Sequence, residues 1–182
     1  MVPAGVGFAW PVCKACQKAM QFQCRVPHPT EAFKQILVFQ CANAPGTCGE
    51  WEVDSGANQA IIVDVAGPIS SAQPSNDGVA TLGGQWSGHV EQVDADYEQA
   101  RRVVQSRGQG GHVLGFLGGQ PEWLQDDQTP DCPSCGQSMV LAAQLEEGPD
   151  YRIGMNFGGG GCGYVFACAC PARSAAFLWQ CG

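Results

Sequence analysis

Gly115-Phe-Leu-Gly-Gly-Gln-Pro-Glu-Trp-Leu-Gln-Asp-Asp-Gln-Thr-Pro-Asp-Cys-Pro-Ser-Cys135 joins a glycine–proline–tryptophan turn to a Cys-x-x-Cys knuckle. Such a knuckle aims two sulfurs at one point, at a separation that suits two corners of a tetrahedral ion. It leaves the other two corners to a second hairpin. Trp10-Pro-Val-Cys-Lys-Ala-Cys16 is a second knuckle near the other end of the chain. Four residues after its second cysteine each knuckle has a methionine, Met20 and Met139, and then a strand-like run. Later each half has an apolar run ending in Phe-x-Cys, Phe39-Gln-Cys41 and Phe166-Ala-Cys168. The two halves therefore read as copies of one knuckle-plus-hairpin unit.

Outward from the knuckles, hydrophobic patterning predicts strands over residues 20–26, 36–39, 58–65, 79–82, 89–93, 112–117, 139–145, 153–157, 164–168 and 175–180. Thr30 is placed to cap a short helical turn. One clear helix is predicted from Asp94 or Asp96 to Arg107. Tyr97, Ala100, Val103 and Val104 fall on one face, acids sit at the start, and Gly108 follows the end. Arg101 and Arg102 read as its solvated face. Residues 67–78, rich in Pro, Ser, Gln and Asn, read as a linker. The expected organisation is a first cysteine unit over 1–66, a linker and helix over 67–110, and a second unit over 111–182. The fold class is mainly β (α+β), with antiparallel sheets from two similar units and one clear helix between them.

Composition narrows the function classes. Charged residues make up 14% of the chain and sum to −8, with nine Lys and Arg in all. Nucleic-acid affinity comes largely from such cations, so direct nucleic-acid binding is disfavoured and a basic protein is the natural partner. Eleven cysteines, an odd number, argue for metal rather than complete disulfide pairing. Residues 1–12 lack a basic, continuous signal-peptide pattern, and no apolar run reaches spanning length, so a reducing cytoplasmic setting without membrane contact is expected.

The first metal set is Cys13 and Cys16 with Cys41 and Cys48, whose loop turns back at Pro45-Gly46. Cys24 reads as a small apolar residue in a strand, and His28 as a surface-loop histidine. The second set is Cys132, Cys135 and Cys168, with Cys170, Cys162 and Cys181 competing for the fourth place. Cys170 is nearest in sequence, but residues i and i+2 of a flat strand stand apart unless the chain bends at Pro171. One or two structural zinc ions are expected. Four thiolates leave no open position for substrate or water, so catalysis at the metal is not expected. Neither knuckle precedes a helix in a βαβ setting, which disfavours thioredoxin-like chemistry. No catalytic residue is assigned. Asp126, Asp127 and Asp131 read as a solvated acidic loop, although a pocket lined by His112, Glu122, Asp126 and Asp127 would favour a hydrolase. Gly118, Gly119, Pro121, Trp123 and Trp86, at or beside Gly-Gly turns, are candidates for a binding surface.

Leu117-Gly-Gly-Gln-Pro-Glu-Trp-Leu-Gln125, Cys132-Pro-Ser-Cys-Gly136 with Met139 and Gln144, Asn156-Phe-Gly-Gly-Gly-Gly-Cys-Gly-Tyr-Val-Phe166 and Phe177-Leu-Trp-Gln180 together resemble the YwqG-like bacterial family, a domain of unknown function. That family is similar in turn to the programmed cell death protein 2 family. The resemblance covers roughly residues 110–182. It implies a β-rich, internally duplicated fold and no established enzymatic activity. It also implies a chaperone-like role for a basic client, since the eukaryotic relatives are dedicated chaperones of a ribosomal protein. An RNA-associated or ribosome-biogenesis role is the alternative, and a hydrolase or redox enzyme a third.

Overall fold

The computed structural model describes residues 9–64, 78–80, 87–107, 112–148, 150, 152 and 154–182. Among them the chain is mainly β, with seven strands and one short helix. The first sheet is β1 (Gln21–Pro27), β2 (Lys34–Gln40) and β3 (Asn58–Asp64), in that order and antiparallel. The second is β4 (Gly115–Leu117), β5 (Val140–Glu146), β6 (Cys162–Ala167) and β7 (Ala175–Gln180), also antiparallel in sequence order. The helix α1 (Tyr97–Ser106) lies between them in the chain.

The repeat is exact in backbone pairing. Val12 bridges Ala19 as Asp131 bridges Ser138. The register of β1 on β2 shifts between Phe22 and Cys24, and that of β5 on β6 shifts between Leu141 and Ala143. Phe22 faces Phe39, and Leu141 faces Phe166. Even the amide that leaves each hairpin agrees: Cys41 N–H donates to Ala57 O at 2.7 Å, and Cys168 N–H to Ser174 O at 2.9 Å. A bulge adds local twist, so equal bulges give both hairpins the same curvature.

Strands β2 and β6 are apolar without alternation because both their faces are covered. Ile36 and Val38 share one core with Val165, Ala167, Phe177 and Trp179, which locks the sheets face to face. Leu37 and Phe39 turn outward to a cluster containing Cys13, Met20 and Cys41. Tyr164 and Phe166 turn outward to a cluster containing Cys132, Met139 and Cys168. Each fully buried side chain of this size contributes about 1.5–3 kcal/mol.

A strap covers the outer face of the second sheet. Residues 122–126 lie along it, and three side chains from the sheet bind their backbone. Gln144 accepts from Glu122 N–H at 2.8 Å and donates to its carbonyl at 3.2 Å. Tyr164 Oη accepts from Leu124 N–H and donates to Glu122 O. Gln180 accepts from Gln125 N–H and donates to Asp126 O. Buried polar atoms are thus paired with backbone that no strand satisfies. At β4 the chains approach closely: a Cβ on Gly115 (φ +125°) would sit 1.9 Å from Gln144 O.

Several expected elements differ. Residues 89–93 and 154–157 form no strand. The latter segment instead inserts Phe157, 0% exposed, as a plug in the shared core. Residues 30–33 make a turn, with Lys34 N–H donating to Glu31 O, rather than a helical turn. Pro27 continues β1 instead of ending it before that residue. The helix is capped by Asp96, as its sequence predicts, but it buries no residue. Val103 is exposed, and Arg101 pairs with Glu146 at 3.2 Å rather than facing solvent alone. Contact with the sheet is made at one end, where Tyr97 packs on Phe116 and donates to Glu146. Nearly all of the 67–78 linker, the Gly83–Gly84 turn, Trp86 and Gly108 lie outside the described residues.

The Gly158-Gly-Gly-Gly161 turn is held by Glu147, whose carboxylate accepts from the N–H groups of Phe157, Gly159 and Gly160. Burial alone would raise its pKa, but these backbone donors hold it below the ordinary carboxylate range. A carboxylate with a depressed folded pKa stabilises above its unfolded pKa of about 4.3 and loses that contribution as pH falls through the folded value. Glu147→Gln is expected to cost about 1–3 kcal/mol at neutral pH. Denaturant unfolding from pH 7 to pH 3 should show the gap to wild type closing on the acid side. A gap that does not change with pH would sink this account.

Candidate metal centres

In the first knuckle Cys13 N–H donates to Lys18 O and Gln17 N–H to Cys13 O, both at 2.9 Å. In the second Cys132 N–H donates to Gln137 O and Gly136 N–H to Cys132 O, both at 2.8 Å. Gln17 and Gly136 hold the same left-handed place, at φ 59° and 70°. Backbone N–H groups of Ala15 and Cys16 point at Cys13 sulfur, as those of Ser134 and Cys135 point at Cys132 sulfur. Each knuckle thus presents two sulfurs, the first of them with backbone donors ready for negative charge.

The opposite pair comes from the end of the following hairpin. Cys41 follows β2, and a turn with Gly46 and Gly49 at positive φ brings Cys48 back to it. In the second unit β6 ends at Ala167, so Cys168 and Cys170 lie in a turn, not in a flat strand. Cys170 N–H donates to Cys168 sulfur at 3.4 Å, and Arg173 closes the turn by donating to Cys170 O. Cys13, Cys16, Cys41 and Cys48 bring their sulfurs within 4.8 Å of one another, and so do Cys132, Cys135, Cys168 and Cys170. Both sets are positioned to hold a metal ion. The separations measured include 3.7 Å for Cys16–Cys41 and 3.6 Å for both Cys132–Cys170 and Cys135–Cys168.

The competing cysteines point elsewhere. Cys24 and Cys181 pack against the shared core, and Cys162 against the outer cluster of the second sheet. Burial pushes the Cys24 thiol up to about 12 and also raises Cys162. All eleven cysteines are free thiols. His28 is not a surface-loop residue: it is 5% exposed, its Nδ1 faces Thr30 N–H, and burial lowers its pKa.

Several of these sulfurs differ in what surrounds them. Burial raises Cys13. Burial and then the neighbouring Cys41 push Cys48 up to about 12. Burial opposes ionisation of Cys41 too, but Asn43, whose Nδ2 lies 3.5 Å from its sulfur, brings it down. In the second set the Ser174 hydroxyl leads in bringing Cys132 down to about 6. The Cys170 N–H favours ionisation of Cys168, but burial and the three neighbouring sulfurs push it up to about 12. A divalent ion favours the thiolate form of every sulfur it binds and displaces the protons they carry.

The proposed surface residues divide. Gly119 is exposed at the turn. Gly118 and Pro121 are half-buried, and Gly118 N–H donates to Ala142 O. Trp123 is half-buried, stacked on Phe166 at 5.9 Å and tilted on Tyr164 at 4.4 Å. Its indole belongs to the outer core, as does that of Trp10, which packs on the equivalent Phe39. His112, Glu122, Asp126 and Asp127 are all exposed.

No family model matches this sequence, and no solved structure matches it. One curated relative, the uncharacterized protein YpfL of Salmonella typhimurium, is 46% identical over 46 residues. That stretch is 23% of this chain and 11% of the relative, so the chain spans about a ninth of that protein's length.

Cys13→Ser and Cys135→Ser should each lower the metal content by one ion per chain, and the double variant should hold none. Cys24→Ser, Cys162→Ser and Cys181→Ser should keep two. Elemental analysis of purified protein reads this directly. Metal addition to the stripped protein at pH 7 should also release more than one proton per ion into a weak buffer.

Proposed function

We propose that the chain is a zinc-clamped, non-enzymatic protein-interaction module whose partner is a basic protein, with a chaperone-like role toward that client. The supporting observation is that each centre is a closed set of four sulfurs built into a sheet's outer core. Zinc bonds to thiolate at about 2.3 Å, which sets the edges of a regular tetrahedron near 3.8 Å. The sulfur separations of 3.6 and 3.7 Å match that edge. An all-sulfur tetrahedral donor set also favours zinc over magnesium or calcium. A filled tetrahedron gives no site for water, so zinc here is structural. Eleven free thiols fit a reducing cytoplasm.

Charge supports the partner class. Two tetrathiolate zinc centres would take the net charge from −8 to about −12. Of the nine cations, Lys34, Arg101, Arg102, Arg107 and Arg173 are already paired with carboxylates. That leaves little basic surface for RNA phosphates. The resemblance of residues 110–182 to the YwqG-like family, and through it to the programmed cell death protein 2 family, agrees with client binding.

Native mass spectrometry should find two zinc ions per chain. Apparent zinc binding of about 10–16 kcal/mol rivals the 5–15 kcal/mol that holds a typical domain together, so chelation should unfold the outer layers and lower Tm sharply. Fluorescence anisotropy should show Lys/Arg-rich peptides binding better than acidic or neutral peptides of equal length, with an affinity that falls as salt rises. Equal binding of all three, or tighter binding of single-stranded RNA, would overturn the reading.

A further inference from the structure

A cleft of about 470 Å³ opens at the seam between the two units. The first unit lends it Gly46 and Glu50, and the second lends Glu147, Met155, Asn156 and Trp179. Glu50 is 1% exposed. One of its oxygens, Oε1, accepts from Gly46 N–H, while Oε2 is buried with no partner. Trp179 is 9% exposed, and its indole Nε1–H is also buried with no partner. Buried polar atoms are paired in the great majority of cases, so an orphan acceptor and an orphan donor beside one cleft are an unusual coincidence.

The two orphans differ in kind, and the difference points to a ligand. A carboxylate oxygen out of water is satisfied best by a charged donor. An indole N–H asks for a neutral acceptor such as a carbonyl. The second carboxylate, Glu147, is already saturated by three backbone N–H groups, so it adds negative field without needing a contact. No Lys or Arg lines the cleft. Met155 and the Trp179 ring supply a polarizable wall suited to an alkyl stem or to the face of a cation. The loop carrying Glu50 is fixed in place. Asn58 Nδ2 donates to the carbonyls of Glu50 and Glu52, and Trp179 N–H donates to Trp51 O.

We propose that the seam cleft binds a guanidinium or primary-ammonium group, with Glu50 Oε2 as its counter-ion and Trp179 Nε1–H donating to a carbonyl beside it. A lysine or arginine within a peptide offers both groups, as does no simple inorganic ion. The inference deepens the client-binding reading and rests on it only for the source of the cation.

The test uses the metal-loaded protein with a ¹⁵N-labelled indole, the Trp179 resonance being assigned by Trp179→Phe. The probes are blocked Gly-Arg-Gly, Gly-Lys-Gly and Gly-citrulline-Gly, with agmatine as a free cation. The arginine or lysine peptide should shift the Trp179 indole signal saturably. Binding should weaken at least about tenfold for citrulline and for Glu50→Gln. Agmatine binding as tightly as the peptide would assign the site to free amines, and weaker binding would assign it to protein segments. Citrulline binding equal to arginine, or no saturation by either cation, overturns the proposal. The citrulline comparison needs no variant and stands even if Glu50→Gln does not fold. Long basic peptides that bind Glu50→Gln as well as wild type would remove the cleft from the account and leave the client-binding module intact. Tripeptide binding without long-peptide binding would do the reverse.

Discussion

Strands β2 and β6 are apolar on both faces, and water can be left on neither. Ile36 and Val38 look one way while Leu37 and Phe39 look the other, and Val165 and Ala167 oppose Tyr164 and Phe166 in the same manner. A three- or four-stranded sheet of this kind needs a cover on each side. The inner covers are mutual, since each sheet closes the other. The outer covers are small and differ in kind: a knuckle with Trp10 on one sheet, and a knuckle with the 122–126 strap on the other. Two of the six buried residues in the first outer cluster are cysteines of the metal set. Each set of four sulfurs therefore lies in an outer layer and not at the seam.

This arrangement explains why charge and polarity are placed as they are. Gln144, Tyr164 and Gln180 are polar side chains inside an apolar face, and each is used to bind backbone of the strap. Glu147 is placed beside a glycine turn whose N–H groups point inward. Polar groups buried this way specify one position for a segment that apolar contact alone would let slide.

Much of this was legible in the chain itself because knuckle spacing, methionine position and the Phe-x-Cys endings are local patterns. Strands β2, β5 and β7 follow from short β-branched and apolar runs. The choice of Cys170 over Cys162 and Cys181 was not legible, because it depends on where β6 stops. Residues 153–157 carry strand-like alternation, yet residues 154–157 form no strand and Phe157 finds its place as a plug. Residues 89–93 have strand-forming valines but are exposed and form no strand. Trp123 reads as a surface aromatic from its neighbours, and only the position of Tyr164 and Phe166 shows otherwise. Glu50 and Trp179 lie far apart in the chain, so no local pattern announces the cleft they border.

The matching bulges at Gln23 and Ala142 give the two halves the same strand register. The strand pairs in closest contact across the interface are like elements, β1 with β5 and β3 with β7. Such pairing of each element with its own counterpart is the signature of an isologous two-fold interface. The single chain is therefore laid out like a tethered homodimer, in which a covalent connection sets the effective concentration of one half for the other. The two halves differ at the axis. One carries Glu50 there and the other Glu147 with its glycine turn, so the seam is asymmetric although the scaffold around it is not.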